Sequence, residues 1–289
     1  MPCYANLWFR PAHSGPNMVN ADLTPERAFA HYKPEWNGKL VLWEGRIKEH
    51  ILKGGLDSLM LGTIKGNVPV KFSRTARNLE YDRTGYRVAI KGYLRWQNSR
   101  PALEGQSVIL LEPPLEYSYK HWTKDAEPNL ESFLAWRIQF HNPEVSVAED
   151  EKVAAALVRE AKANKLDPLF FASLIQIESA WDTDAVSSSG AQGLGQLMPF
   201  TAAGLKVANP LDPVQNLKGS AKMVAGLFNA WKDYPNTKAL VLASYNAGPN
   251  RVRKAGGQIP AIPETTNYVY FIGYVNRDMT RLAHKAGIL

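Results

Sequence analysis

The stretch LIQIESAWDTDAVSSSGAQGLGQLMP, residues 174 to 199, places one carboxylate, Glu178, at the end of an apolar run and follows it with a Gly- and Ser-rich segment that contains no Lys or Arg. Leu169, Phe170, Phe171, Leu174, Ile175 and Ile177 leave a helix over 168–179 almost no polar face, so that helix belongs in a core. An acid in its last turn is partly desolvated and lies near the negative end of the helix dipole, and both effects disfavour the ionised form. A carboxylic acid still protonated near neutral pH can donate a proton to a leaving oxygen, as cleavage of a glycosidic bond requires. The uncharged 187–199 stretch offers hydrogen-bonding side chains and glycines, suited to neutral hydroxyls and amides that approach the backbone closely.

Two further segments carry candidate groups. SYNAG, 244–248, ends another helix with Tyr245 and Asn246 before the chain turns through Gly248. PETTNYV, 263–269, opens the last helix with Glu264 and Tyr268 one turn apart, hence on one face. Singly, each could be a cap or a core aromatic, and Glu264 could merely complement the helix dipole. Together with Glu178 they outline a site. Asp182 and Asp184, the acids nearest Glu178 in sequence, read as loop or capping residues.

The elements that must position these groups are helical. Ser146 and Glu149 form a capping box ahead of an apolar face at Val153, Leu157, Val158 and Ala161. Asp167-Pro168 supplies an N-cap and a first-position proline, and Asp212-Pro213 repeats the device for a helix running to about Trp231. A further helix covers Lys238 to Asn246. The last begins near Pro263, carries Tyr268, Phe271, Ile272, Val275, Met279 and Leu282 on one stripe, and closes at Gly287.

The N-terminal part has a different period. In YRVAIKGYLRWQ, Tyr86, Val88, Ile90, Leu94 and Trp96 alternate with Arg87, Lys91, Arg95 and Gln97, as in a half-buried strand with one apolar and one basic face. Similar runs at 39–48, 58–65, 68–73 and 107–112, a turn at Lys65-Gly66-Asn67, and Gly45, Gly62 and Gly92 inside the strands predict a small closed barrel of the OB type. EPPLEYSYKHWTKDAEPN, 112–129, breaks both periods and reads as the connection.

Of the net charge of +7, residues 1–115 hold 16 Lys and Arg against 10 Asp and Glu, so the basic excess belongs to the barrel. Such a domain attracts polyanions: nucleic acid, anionic lipid surfaces or acidic cell-wall polymers. The single Cys3 forms no internal disulfide, and the visible residues give no lipobox that would make it a lipid anchor. The six His show no metal-ligand spacing, and no cofactor is implied. The uncharged run 185–205 is too polar to span a bilayer, so no transmembrane segment is expected. MPCYANLWFR lacks signal-peptide features, which leaves either a cytoplasmic protein or an export signal not visible in this sequence. The GLG at 193–195 lacks the flanking strand and Lys-Ser/Thr of a phosphate loop.

At the candidate site the chain resembles the soluble lytic transglycosylases with a goose-type lysozyme-like α-domain. That family's motifs are a Glu-Ser pair, Gly-Leu-Met-Gln followed by Leu-Met-Pro, Ala-Tyr-Asn-Ala-Gly, and Glu-Thr-x-x-Tyr-Val. Here they read Glu178-Ser179, Gly193-Leu194-Gly195-Gln196-Leu197-Met198-Pro199, Ser244-Tyr245-Asn246-Ala247-Gly248 and Glu264-Thr265-Thr266-Asn267-Tyr268-Val269, in the same order. Residues 141–168 resemble the family's helical lead-in, so the likeness covers roughly 130–285 and leaves the barrel outside it. Gly195 and Ser244 depart from the pattern.

The strand pattern predicts an OB-like barrel with an irregular N-terminal segment over 1–115 and a linker over 116–129, which makes an α+β multidomain chain, and the resemblance implies an all-α lysozyme-like catalytic domain over 130–289. It further implies that Glu178 is the sole catalytic acid/base, cleaving the β-1,4 bond between N-acetylmuramic acid and N-acetylglucosamine of peptidoglycan to leave 1,6-anhydromuramic ends. Ser187, Gln196 and Met198 would line the site, Tyr245 and Asn246 lie near the acid and the sugar, and Glu264 and Tyr268 close the cleft. The implied partner is the glycan strand and the implied location the periplasm or cell envelope. A lysozyme-type hydrolase is one alternative, and a non-catalytic cell-wall or nucleic-acid binding protein using Lys91, Tyr93 and Arg95 is another. No motif specific to nucleic acid occurs, so the barrel is expected to hold wall polymer or a protein partner.

Overall fold

The computed structural model describes residues 18–53, 56–72, 83–114, 117–122 and 128–289. Cys3 and the expected irregular N-terminal segment to residue 17 lie outside them, as do residue 73 of the third expected strand and parts of the expected linker. The chain divides into two compact units, with the boundary between Ser118 and Tyr119.

The first unit opens with α1 (Pro25–Ala30) and a short 3-10 turn, Pro34–Trp36. Five strands follow: β1 (Leu40–Lys53), β2 (Leu56–Thr63), β3 (Gly66–Phe72), β4 (Arg87–Gln97) and β5 (Arg100–Glu112). They close into a barrel in the order β1-β2-β3-β5-β4, antiparallel throughout except for β3 beside β5. Val41, Trp43, Ile47, Leu61, Val70 and Ile90 fill its interior. Gly45 and Gly92 mark where strands approach closely: a Cβ on Gly45 would stand 2.5 Å from the Gly62 carbonyl oxygen, and one on Gly92 would stand 2.8 Å from that of Glu104. Gly92 sits at the register shift between β4 and β5.

Three details differ from the sequence reading. β5 begins at Arg100 rather than 107, because Asn98 and Ser99, both with positive φ (49° and 60°), make a two-residue hairpin that pairs Gln97 with Arg100. The β2–β3 turn falls on Ile64 and Lys65, with Thr63 Oγ1 accepting from the Gly66 amide at 3.2 Å, so Gly66 and Asn67 already belong to β3. The alternation of β4 holds at Val88, Ile90 and Leu94 but releases Trp96, which is 38% exposed. The basic face is partly neutralised as well: Arg87 pairs with Glu44 (2.7 Å) and Glu112 (3.0 Å), and Arg95 with Glu104 (2.6 Å).

The second unit is helical: α2 (Tyr119–Trp122), α3 (Leu130–His141), α4 (Val147–Ala163), α5 (Pro168–Ser179), α6 (Pro199–Gly204), α7 (Pro213–Ala230), α8 (Thr237–Ala247), α9 (Pro249–Lys254) and α10 (Pro263–Lys285). Within the expected linker, the Tyr119 hydroxyl of α2 bonds Ser132 Oγ of α3 at 2.6 Å. The capping box of Ser146 and Glu149 is formed, and Asp167 and Asp212 cap α5 and α7 through their carboxylates. Helix α5 packs against α4 and α10, and the expected apolar stripe of α10 is buried from Tyr268 to Leu282. Arg137, fully buried on α3, donates to Gln176 Oε1 of α5 at 2.8 Å. Gly287, at φ 72°, follows the C-cap Ala286. Among the described residues no helix is long and apolar enough to cross a membrane.

Asp150 in the first turns of α4 is buried, and its Oδ2 has no hydrogen-bond partner. Burial, with a smaller contribution from the charge of Glu149, raises its pKa from 3.8 to about 7. The unfolded chain loses this proton near the ordinary value and the folded chain keeps it to about 7, so stability falls as pH rises between those limits. Asp150→Asn should flatten that descent and be more stable than wild type at pH 8 in denaturant unfolding. A wild-type descent in the variant would show that another group is responsible.

Candidate active site

Glu178 lies in the last turn of α5, whose other side chains anchor the helix in the core. The helix ends immediately afterwards in two non-glycine residues of left-handed conformation, Ala180 (φ 52°) and Trp181 (φ 70°). Such a pair is costly, on the order of 1–3 kcal/mol for each residue, and persists only where its surroundings enforce it. Here Ser179 Oγ accepts from the Trp181 amide at 3.1 Å, Asn142 Nδ2 donates to the Trp181 carbonyl at 2.9 Å, and the indole is buried. The chain therefore reverses one residue past Ser179, and the acid stands at a fixed helix end.

The Tyr268 hydroxyl of α10 donates to Glu178 Oε1. Burial raises the Glu178 pKa to about 7 against the opposing hydrogen bond from Tyr268, and the charge of Glu264 pushes in the same direction as burial. Burial and the nearby Glu178 charge push the phenols of Tyr245 and Tyr268 above their ordinary value, so both remain neutral donors. The Tyr245 hydroxyl of α8 donates to the Gly195 carbonyl at 2.7 Å. The acid is thus flanked by two tyrosines, one bonded to it and the other bonded to the glycine-containing loop.

That loop is fastened from α7. Asn216, wholly buried, accepts from the Gly195 amide (2.7 Å) and donates to the carbonyls of Gln192 (2.9 Å) and Pro210 (2.7 Å). Gly193, at φ 67°, has no room for a side chain, because a Cβ would meet the Pro210 oxygen at 2.1 Å. Gly195, where the resemblance leads one to expect Met, is equally enclosed. A Cβ there would lie 2.0 Å from Ser220 Oγ, 2.8 Å from Ser220 Cβ and 3.0 Å from the Tyr245 hydroxyl.

The remaining expected site residues divide into two groups. Asn246 on α8 is held between the Thr265 hydroxyl, which donates to its Oδ1 at 2.7 Å, and Glu264, whose Oε1 accepts from its Nδ2 at 3.4 Å. Glu264 itself is exposed. Ser187 and Gln196 bond within the loop: Ser187 Oγ accepts from the Ala191 amide at 2.9 Å, and Gln196 Nε2 donates to the carbonyls of Ala185 (3.0 Å) and Gly193 (2.9 Å). Met198 precedes α6 at its N-cap position, makes no capping bond with its side chain, and is 43% exposed. Asn216 and Ser220 are not among the residues the sequence reading named, and Thr265 was named there only as a member of a motif, without a role. The first two lie four apart on α7, a spacing that puts two polar side chains on one face, and that pattern was available in the sequence.

A buried helix ending in an acid whose pKa burial raises, two neutral tyrosines beside it and an uncharged loop fastened alongside make a site suited to general acid catalysis on a neutral substrate. Residues 156–265 match the sequence model of the family described as Transglycosylase SLT domain. Over 86 residues the chain is 40% identical to a transglycosylase of Enterobacteria phage PRD1, a match covering 30% of this chain and 31% of that protein. Over 98 residues it is 35% identical to membrane-bound lytic murein transglycosylase F of Pseudomonas fluorescens, covering 33% of this chain and 20% of that one. The chain thus spans about a third or less of the length of these two relatives. The 70 kDa soluble lytic transglycosylase SLT70 of Escherichia coli aligns over 59% of this chain and 32% of its own, at 20% identity and a TM-score of 0.41.

Two substitutions test the geometry without reference to activity. Tyr268→Phe removes the bond that favours the carboxylate, so the Glu178 carboxyl, followed by carbon-13 NMR, should titrate at a higher pH than in wild type. An unmoved midpoint would mean that the bond does not form in solution. Gly195→Ala should destabilise the helical unit by about 1–3 kcal/mol in denaturant unfolding, because Ser220 Oγ can rotate away but its Cβ cannot. A neutral effect would show that the loop yields at this point.

Proposed function

We propose that the chain is a peptidoglycan lytic transglycosylase that cleaves the β-1,4 bond between N-acetylmuramic acid and N-acetylglucosamine without consuming water. The observation that carries this reading is the Glu178 carboxyl at the end of the core helix α5 with the Tyr268 hydroxyl bonded to it, where burial raises its pKa to about 7. A group so poised can serve both halves of the reaction. Protonated Glu178 gives its proton to the glycosidic oxygen as the bond to C1 breaks. The resulting carboxylate then takes the proton of the muramic 6-hydroxyl as that oxygen bonds to C1, which closes the 1,6-anhydro ring and returns Glu178 to its starting state. The intramolecular hydroxyl, at high effective concentration, takes the place of water.

The other residues take supporting roles. Tyr268 stabilises the ionised half of the cycle. Tyr245 ties the acid's surroundings to the loop, and Asn246, oriented by Thr265 and Glu264, presents its amide to the sugar. Ser187 and Gln196 hold the shape of the neutral wall and Met198 lies on its rim. Glu264, whose charge favours the protonated form of Glu178, closes the cleft. The catalytic domain extends over 130–289 and an OB-like accessory barrel over 1–115, with 116–129 connecting them. Peptidoglycan as substrate places the site of action in the periplasm or cell envelope, where the barrel would hold wall polymer or a protein partner.

The test is mass spectrometry of the soluble products released from purified peptidoglycan. Wild type should yield anhydro-muropeptides, at a rate that falls as pH rises through about 7 and Glu178 loses its proton. Glu178→Gln should fold normally and release at least about a hundredfold less. Reducing-end products would instead identify a hydrolase of the lysozyme type, and a near-wild-type Glu178→Gln would remove the acid from the mechanism.

A further inference from the structure

At the hairpin end of β4 the barrel carries an aromatic array that runs from its core to its surface. Trp96 is stacked on Tyr32, with ring centroids 4.0 Å apart and planes at 15°, and 38% of Trp96 remains exposed. Tyr32 in turn meets Trp36 edge to face at 6.3 Å. The array is braced. Trp36 is buried in the 3-10 turn, the Gly38 amide donates to the Leu94 carbonyl at 2.8 Å, and the Gly38 backbone lies against Arg95. The tight Asn98-Ser99 hairpin fixes the strand that bears Trp96.

Two cations lie over the Trp36 ring. The Arg27 guanidinium lies 5.3 Å and the Lys33 ammonium 6.0 Å from its centre. Arg27 and Lys33 form no ion pair with a described residue, unlike Arg87 and Arg95, whose charges are met by Glu44, Glu112 and Glu104. The acids nearest to them in sequence are Glu26, beside Arg27, and the exposed Glu35. A partly exposed indole in an aromatic array that carries unpaired cations offers an anionic ligand both a stacking face and a charge.

We propose that Trp96, backed by Tyr32, is a stacking platform for one sugar ring of an anionic glycan strand, with Arg27 and Lys33 meeting the strand's carboxylates. The barrel would thereby hold the polymer independently of the catalytic domain. The choice of glycan rests on the lytic transglycosylase reading and on two features of the surface. A pyranose ring presents an apolar face of C–H groups that fits one aromatic plane, and the basic excess of residues 1–115 complements the carboxylates of peptide-bearing glycan. Single-stranded nucleic acid is usually held by successive exposed rings. Among the described residues of the barrel strands, Trp96 is the one exposed aromatic.

The experiment uses the full chain, wild type and Trp96→Ala, with Trp96→Phe as the conservative control. Three quantities are read: pelleting with purified insoluble peptidoglycan, product release from it, and turnover of a short soluble glycan fragment. Trp96→Ala should bind the insoluble polymer about five- to tenfold more weakly and release proportionately less product. It should turn over the soluble fragment within about twofold of wild type, and Trp96→Phe should keep most of the binding. Unchanged pelleting by Trp96→Ala overturns the proposal. So does displacement of the pelleted protein by a 20-mer of single-stranded DNA that the Trp96→Ala variant no longer binds, since that would assign the platform to nucleic acid. Failure of wild type to cleave the soluble fragment would instead count against the catalytic reading, while the pelleting comparison would still decide the platform.

Discussion

Burial of α5 is the constraint on which the helical unit depends. With Leu169, Phe170, Phe171, Leu174 and Ile175 all inside, the helix has almost no freedom to shift or rotate, and the one charged side chain near its end is carried with it into a poorly solvated place. The apolar side chains that stabilise the domain are therefore the same ones that raise the Glu178 pKa. The left-handed pair at Ala180 and Trp181 belongs to this economy, since core burial of Leu, Ile and Phe at about 1.5–3 kcal/mol each outweighs the strain at the helix end.

Around the acid, polar groups are arranged so that neutral hydrogen-bonding groups do the positioning. Tyr268 and Tyr245 stay protonated because burial and the neighbouring Glu178 charge oppose phenolate formation, and Asn216 and Asn246 use amides that do not titrate. A cationic partner in the same place would hold Glu178 ionised and remove its ability to donate a proton. The absence of Lys and Arg from 174–199 has the same physical sense: a cation in the wall beside the acid would favour its ionised form.

Much of this was legible before any coordinates. The capping residues Ser146, Asp167 and Asp212 and the α10 stripe announce their helices because caps and 3.6-residue periodicity are local properties. The barrel strands were legible where side chains alternate and illegible where they do not. β5 is half hidden because Pro101, Glu104, Gly105 and Gln106 interrupt its apolar pattern, and its register comes from pairing with β4 rather than from its own residues. Glu178, Tyr245, Asn246, Glu264 and Tyr268 could be named from motif order. That Gln196 and Ser187 bond within their own loop could not, because it depends on two positive-φ positions, Gly193 and Gln196, that bend the loop back on itself. Trp96 was assigned to the apolar face by alternation, but the barrel ends before it does.

Asn216 joins three stretches of chain with one side chain: the loop through Gly195 and Gln192, the segment at Pro210, and its own helix α7. Its amide is fully engaged, so the loop cannot open part-way without stranding buried donors and acceptors, each costing about 1–3 kcal/mol. Loop and helix are consequently one cooperative unit, and a segment that looks on composition like a flexible Gly/Ser linker is pinned to the helix behind it. The entropy of shaping the neutral wall has already been lost during folding, which leaves that much more of any contact with a ligand available to discriminate among ligands.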